Sequence, residues 1–351
     1  MGSDISWPEV LTRLLKGENL SISQAEIAMN EIIAGRASNA QIAAFLIALR
    51  AKGESVDEVL GFRSAVLENA LQLSVPQQAL DIVGTGGDRH NTINISTTAS
   101  LVSAGSGIPV VKHGNKAASS ASGSSDVLSE LGINLTLSPE QVSEVFEQCG
   151  ITFAHAAAFH PGFRHAAEAR RDLGIPTIFN ILGPLCNPAK PIASAVGVSQ
   201  LERIPLITSV FAQRDATALV FRGDDGLDEL STTGMNHVWE VQAGTITEHV
   251  LDPRELGIEM VSLDDLRGGE PSFNAQVVHD VLNGKLGPHR DVVLLNAAAG
   301  IAAYQLALDP AQSLMPLAER LRQSLVIAAE AIDNGAAAAK LRQWVSASQN
   351  F

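Results

Sequence analysis

At 351 residues, with 46% hydrophobic and 18% charged positions, the chain is long enough for one large domain or two moderate ones with ample core. Its formal net charge of −14 argues against nucleic-acid backbone and anionic lipid as general partners, since an acidic surface repels both. Cys149 and Cys186 have no metal-ligand spacing and cannot build a disulfide framework, and neither a cleavable leader nor an 18-residue apolar run is present, so a cytoplasmic protein with no membrane contact is predicted.

Residues 1–74 read as helices only. Ser23-Gln-Ala-Glu26, Ser38-Asn-Ala-Gln41 and Ser55-Val-Asp-Glu58 have the form in which the first side chain accepts a free backbone N–H and the fourth reciprocates. Ile42, Phe45, Leu46 and Leu49 recur at helical spacing, as do Val59, Phe62, Val66 and Ala70. From Ala79 the rhythm changes. Short β-like runs at Leu80–Val83, Ile108–Lys112, Ile151–Phe153, Ser194–Val198 and Ala216–Phe221 alternate with helical patterns at Thr97–Ala104, Ser124–Leu131 and Pro139–Gln148. Such alternation predicts an α/β layer with a mostly parallel central sheet. His237–His249, with Gly244 near its middle, reads as a local hairpin, and Asp291–Gln305 and Met315–Ser346 as an Ala-rich helical tail.

Five clusters carry chemistry. Asp81-Ile-Val-Gly-Thr-Gly-Gly-Asp88 ends an apolar run in a turn with three glycines among four residues, and Asn94-Ile-Ser-Thr97 then opens a helix. Glycines let backbone N–H groups approach an anion, and a helix start adds a favourable dipole. Lys112-His-Gly-Asn115 closes a strand where open α/β sheets place ligands. Ser119-Ser120 and Gly123-Ser124-Ser125-Asp126 follow with hydroxyls and amides; a helix-capping loop is the plain alternative for them. His160-Pro161 leads into Arg170-Arg171, which on a helix point about 100° apart, so one can face inward as a carboxylate clamp; two surface arginines is the alternative. Asn180–Pro188 is a shaped Gly/Pro/Asn loop, and Gly223-Asp224-Asp225-Gly226-Leu-Asp228-Glu229 offers four acids within six residues. Closely spaced hard oxygens suit Mg²⁺, while a solvated acidic turn is the bland reading. No nucleotide-binding Gly-x4-Gly-Lys-Ser/Thr and no dinucleotide-binding Gly-x-Gly-x-x-Gly occurs.

In order and spacing these clusters, with Gln41-Ile-Ala-Ala-Phe-Leu-Ile-Ala-Leu-Arg50 and Phe179-Asn-Ile-Leu-Gly-Pro184, resemble the anthranilate phosphoribosyltransferases, in the glycosyltransferase family related to the pyrimidine nucleoside phosphorylases. The resemblance spans nearly the whole chain. It implies a small all-helical N-terminal domain over 1–74, to which part of 165–190 returns, and a large α/β domain over 75–351. It also implies a homodimer through the helical domain and two Mg²⁺ ions per subunit. Gly84, Gly87 and Asp88 would hold the diphosphate and ribose of 5-phospho-α-D-ribose 1-diphosphate. Thr92, Asn94, Ser96 and Thr97 would take its 5-phosphate, with Ser96 on one Mg²⁺ and Asp228 and Glu229 on the other. Lys112 would complement phosphate charge and Ser124 support the loop. Gly84, Asn115, His160 and Arg170 would receive anthranilate, with Arg170 on its carboxylate. Lys112, Asp228 and Glu229 would be the catalytic set. Two positions depart from the family pattern: His155-Ala156-Ala157-Ala158-Phe159-His160, which bears on acceptor entry, and Ser129, which replaces an acid. A nucleoside phosphorylase would need a nucleobase pocket instead, and a catalytically silent nucleic-acid binder a basic face and an eroded Asp-Glu pair.

Overall fold

Serine caps set the helices of the first compact unit, Met1–Gln72 with Ala156–Pro188. Ser38 and Ser55 accept the N–H groups of Gln41 and Glu58, whose side chains reach back, so Asn39–Lys52 and Val56–Glu68 start where the sequence places them. The earliest box is displaced. Ser21 and Gln24, not Ser23 and Glu26, cap Ile22–Ile33. Leu20 is buried and its N–H donates to Glu58 Oε1 at 2.9 Å, which pins the chain just ahead of Ser21. Trp7, Phe45 and Phe62 then meet edge to face, with ring centroids 5.8 and 5.7 Å apart. Arg164–Leu173 and Ile178–Leu185 belong to this same unit.

The second unit, Leu73–His155 with Ala189–Phe351, is built on a seven-stranded sheet. Its strands are β1 (Leu80–Gly84), β2 (Val110–Gly114), β3 (Ile151–His155), β4 (Ala193–Gly197), β5 (Thr217–Gly223), β6 (Asn236–Gln242) and β7 (Thr245–Leu251), in the order β3-β2-β1-β4-β5-β6-β7. The first five run parallel, and β6 and β7 form the expected hairpin through Ala243 and Gly244, both at positive φ. The architecture is therefore the predicted one, a helical unit plus an α/β unit with a mostly parallel sheet. Strand order reverses between β1 and β4, whose register runs from Leu80↔Ala193 to Gly84↔Gly197. Ligands of open α/β sheets lie at such a reversal, outside the carboxyl ends of the strands.

The computed structural model describes residues 6–76, 78–116 and 121–351. Three sequence readings change within them. Pro288–Leu308 does contain an 18-residue apolar window, of mean hydropathy 1.5, but 67% of it is buried, as in a core helix against a sheet. The tail is two helices, Leu317–Asp333 and Ala336–Ser348, broken at Asn334-Gly335. Pro271–Leu282 is an additional helix, announced only by proline at its first position.

Candidate active site

β1 ends at Gly84, and the turn after it holds Gly86 and Gly87 at φ of +70° and +87°, the left-handed region that favours glycine. Gly86 N–H donates to Asp228 Oδ2 at 2.6 Å. A Cβ on Gly84 would lie 2.2 Å from that same oxygen, and one on Gly197 only 1.7 Å from Asp228 O. The side-by-side glycine ends of β1 and β4 thus make room for the Asp228-Glu229 backbone to cross over them. Gly197 was not singled out from the sequence; a glycine closing a parallel strand was its signal.

Of the four acids in the turn, the structure separates two from two. Asp224 pairs with His237 at 3.1 Å, and Asp225 accepts from Leu227 N–H, Ser231 and Thr233 at 2.9, 2.6 and 2.5 Å. These tie the turn to the end of the sheet. Asp228 and Glu229, each 8% exposed, face the glycine loop and the start of Ile95–Gly105. Ser96 N–H donates to Glu229 Oε1 at 3.2 Å, while Glu229 Oε2 is buried and, among the described residues, unpartnered.

Lys112, on β2, is 1% exposed and lies beneath this helix start, donating to Ile82 O at 2.5 Å and Ser96 Oγ at 3.2 Å. Burial lowers its pKa against the opposing charges of Asp81, Glu229 and Asp228. The resemblance has Lys112 complementing phosphate charge, and in the structure its ammonium meets the helix start at Ser96. Asp81, which sequence reading passed over as a position, is a carboxylate inside an apolar strand, and it accepts from His113 N–H at 3.1 Å.

Burial, then the neighbouring charges of Asp88 and Glu229, raises Asp228 well above the usual carboxylate range. Burial likewise pushes Glu229 up to about 7, against the pull of Lys112 and Ser96. The acid pair is short of positive charge. A divalent cation fits that deficit and the orphaned Glu229 oxygen. Among the described residues no group of three or more His, Cys, Asp or Glu could enclose a metal. Mg²⁺ needs no such cage: it takes one or two carboxylates and completes its shell with water and phosphate oxygens.

The remaining donor-side candidates gather around the same strand ends. Asn94 does not cap its helix; its amide donates to Ser122 O at 3.1 Å and accepts from Asn274 at 2.8 Å, fixing two neighbouring segments. Thr97 Oγ1 is buried and unpartnered among the described residues. Thr92 bridges to Arg267, and Asp88 Oδ1 accepts from His90 N–H at 3.3 Å. Asn115 is exposed and its carbonyl accepts from Ser125 N–H at 3.4 Å; Ser124 opens Ser124–Glu130. Ser119 and Ser120 lie outside the described residues.

Within the helical unit, the two adjacent arginines resolve. Arg171 is exposed and sits 3.7 Å from Asp172. Arg170 is half-buried, its guanidinium 4.9 Å from the centre of the Phe179 ring, and among the described residues it has no carboxylate partner. Burial lowers its pKa. His160 is 3% exposed, stacks on Phe163 at 5.1 Å, and is held down at about 4 by burial against backbone hydrogen bonds with Cys186 and Val66, so it is neutral at physiological pH.

The glycosyl transferase family's a/b domain matches residues 76–338 and its helical bundle domain residues 8–70. The anthranilate phosphoribosyltransferase of Leifsonia xyli subsp. xyli is 61% identical, covering 99% of this chain and 100% of its own. The chain belongs to the anthranilate phosphoribosyltransferase family. Among solved members, that of Thermus thermophilus superposes with a TM-score of 0.87 at 36% identity, over 97% of this chain and 99% of that one. The Saccharomyces cerevisiae member, solved in complex with PRPP and Mg, gives 0.89 at 27% identity, over 99% of each chain.

Proposed function

We propose that the protein transfers the phosphoribosyl group of 5-phospho-α-D-ribose 1-diphosphate to anthranilate, giving N-(5-phospho-β-D-ribosyl)anthranilate and diphosphate, the second step of tryptophan biosynthesis from chorismate. The observation that carries this reading is the buried Asp228-Glu229 pair set against a glycine turn and a helix start, with Glu229 Oε2 unpartnered among the described residues. Family membership and a relative solved with PRPP and Mg support it.

Breaking the bond from C1 to diphosphate concentrates negative charge on the leaving group. Mg²⁺, when bound, supplies electrostatic stabilisation of that charge. Asp228 and Glu229 hold one ion and Ser96 helps hold the second. Gly84, Gly87 and Asp88 seat the diphosphate and ribose; Thr92, Asn94, Ser96 and Thr97 seat the 5-phosphate at the helix start, where the dipole favours an anion. Lys112 keeps Ser96 in place and offsets the acid pair, and Ser124 supports the neighbouring loop. By the family resemblance, Gly84, Asn115, His160 and Arg170 receive anthranilate, with Arg170 on its carboxylate. The aromatic amine is neutral at physiological pH, so no strong base need activate it. Positioning is the remaining task, and holding two reactants in register can lower a barrier by roughly 7–11 kcal/mol at best. The displacement inverts C1.

The family resemblance supports a homodimer joined through the helical domain; sedimentation showing only single chains at micromolar concentration contradicts that. The activity itself is tested by mixing the protein with anthranilate, the phosphoribosyl donor and Mg²⁺. Anthranilate fluorescence falls if the reading holds and persists if it does not.

A further inference from the structure

We infer that Arg222 is a positioning residue for donor and metal binding, acting through Ser199 on the glycine turn; the inference rests on the phosphoribosyl-transfer reading. Arg222 occupies the penultimate position of β5 and is half-buried. Its side chain ties the end of β5 to the loop after β4. Nε donates to Ser199 O at 3.0 Å, and Nη1 donates to Gly223 O at 3.2 Å, at the base of the acidic turn. Gly226, within that turn, leaves the guanidinium its place: a Cβ there would stand 3.2 Å from Nη2.

Ser199 passes the constraint on. Lying just beyond β4, it donates its N–H to Thr85 Oγ1 at 3.2 Å and its hydroxyl to Gly86 O at 2.8 Å. Gly86 in turn donates to Asp228 Oδ2 at 2.6 Å. The contacts close a ring: Arg222 to Ser199, Ser199 to Gly86, Gly86 to Asp228, and Asp228 back to Arg222 along the chain. The four members span three segments, the loop after β4, the loop after β1, and β5 with the turn that follows it, and the hydrogen bonds fix these segments against one another. The ring therefore sets the separation between the turn that receives diphosphate and the carboxylate that receives metal.

A guanidinium suits the task because its planar fork spans two carbonyls at fixed geometry, which a lysine ammonium does not. Among the described residues no carboxylate pairs with Arg222, so its charge also remains uncancelled near the strand ends.

A double-mutant cycle tests this, using Arg222→Met, Ser199→Ala and the pair, with Arg222→Lys alongside. Donor KM, the Mg²⁺ concentration for half-maximal rate, anthranilate KM at saturating donor, and Tm are measured for each. Arg222→Met raises donor KM and the Mg²⁺ requirement by roughly tenfold, the scale of one lost charge-assisted hydrogen bond. Ser199→Ala raises both by roughly three- to tenfold, the scale of one neutral hydrogen bond, and neither variant changes anthranilate KM. The double variant is no worse than the worse single one, because both break the same chain of contacts. Arg222→Lys behaves like Arg222→Met; full rescue by lysine would assign the effect to charge and overturn the positioning role. Additive losses, an unchanged donor KM, or a lower Tm with unaltered kinetics overturn it too. Ser199→Ala removes one hydroxyl and keeps the test open if Arg222→Met fails to fold. An inactive wild type in the same assay overturns the functional reading and this inference together, whereas unaltered variants beside an active wild type overturn the inference alone.

Discussion

Glu58 in the helical unit and Glu229 in the α/β unit are both buried carboxylates, and they are served very differently. Glu58 receives Leu20 N–H and Ser55 N–H at 2.9 and 2.8 Å and the Lys52 ammonium at 2.9 Å. Glu229 receives one N–H, from Ser96, feels Lys112 without a direct ion pair, and lies beside a second acid of like charge. The first carboxylate is compensated by the fold and caps a helix. The second is left in deficit, and so is the cation of Arg170, which has no carboxylate partner among the described residues. Burying a charge without a partner is costly, so where a chain leaves one in place the complement comes from a ligand.

The sharpest break of the comparison is Asp228→Asn with Glu229→Gln. Size is kept and the anionic ligands go, so kcat/KM falls by about a thousandfold or more, of order 4 kcal/mol. The metal-free fold, relieved of two crowded charges, unfolds at a temperature no lower than the wild type. Steady-state kinetics and thermal unfolding read both halves. Lys52→Met gives the mirror image, stranding Glu58 without its cation. Stability drops by about 3–5 kcal/mol in denaturant titration, while the kinetic constants of the remaining folded enzyme hold.

Arg170→Ala weakens anthranilate by about 1.5–3 kcal/mol and barely touches the donor, as a lost charge-assisted contact should. Arg171→Ala does neither, and equal effects from the two in titrations with both substrates would mean that the inward face is misassigned. The smallest effect is on pH. Glu229 is raised from its ordinary value of 4.5 to about 7 by burial, so between those values the folded protein keeps a proton the unfolded chain has lost. Its contribution to metal-free stability is present below about pH 4.5 and lost as pH rises to about 7. Glu229→Gln flattens that fall in a series of Tm measurements; an unchanged slope contradicts the deficit at this residue.

Much of this was legible in the sequence. Strand and helix rhythm located five parallel strands, and the glycine turn, the helix start and the acidic turn marked the site, because each depends on neighbours close in the chain. What was hidden depends on distant partners. Nothing in Asp224-Asp225-Gly-Leu-Asp228-Glu229 tells which acids Ser231, Thr233 and His237 will occupy. Arg222 and Ser199 gain meaning only once β4 and β5 lie side by side. Arg170 was half legible: Ala166, one helical turn before it, is buried together with Ala169, and Arg170 lies nearer that face than Arg171 does.

The central claim is that the charge left uncompensated at Asp228 and Glu229 is the metal-dependent part of donor binding. Calorimetric titration of the phosphoribosyl donor into wild type and the Asp228→Asn, Glu229→Gln double variant, with and without Mg²⁺ at pH 8, tests it most directly. The account predicts that Mg²⁺ tightens donor binding in the wild type and leaves the variant's weak binding unchanged. An equal gain from Mg²⁺ in both proteins would contradict it.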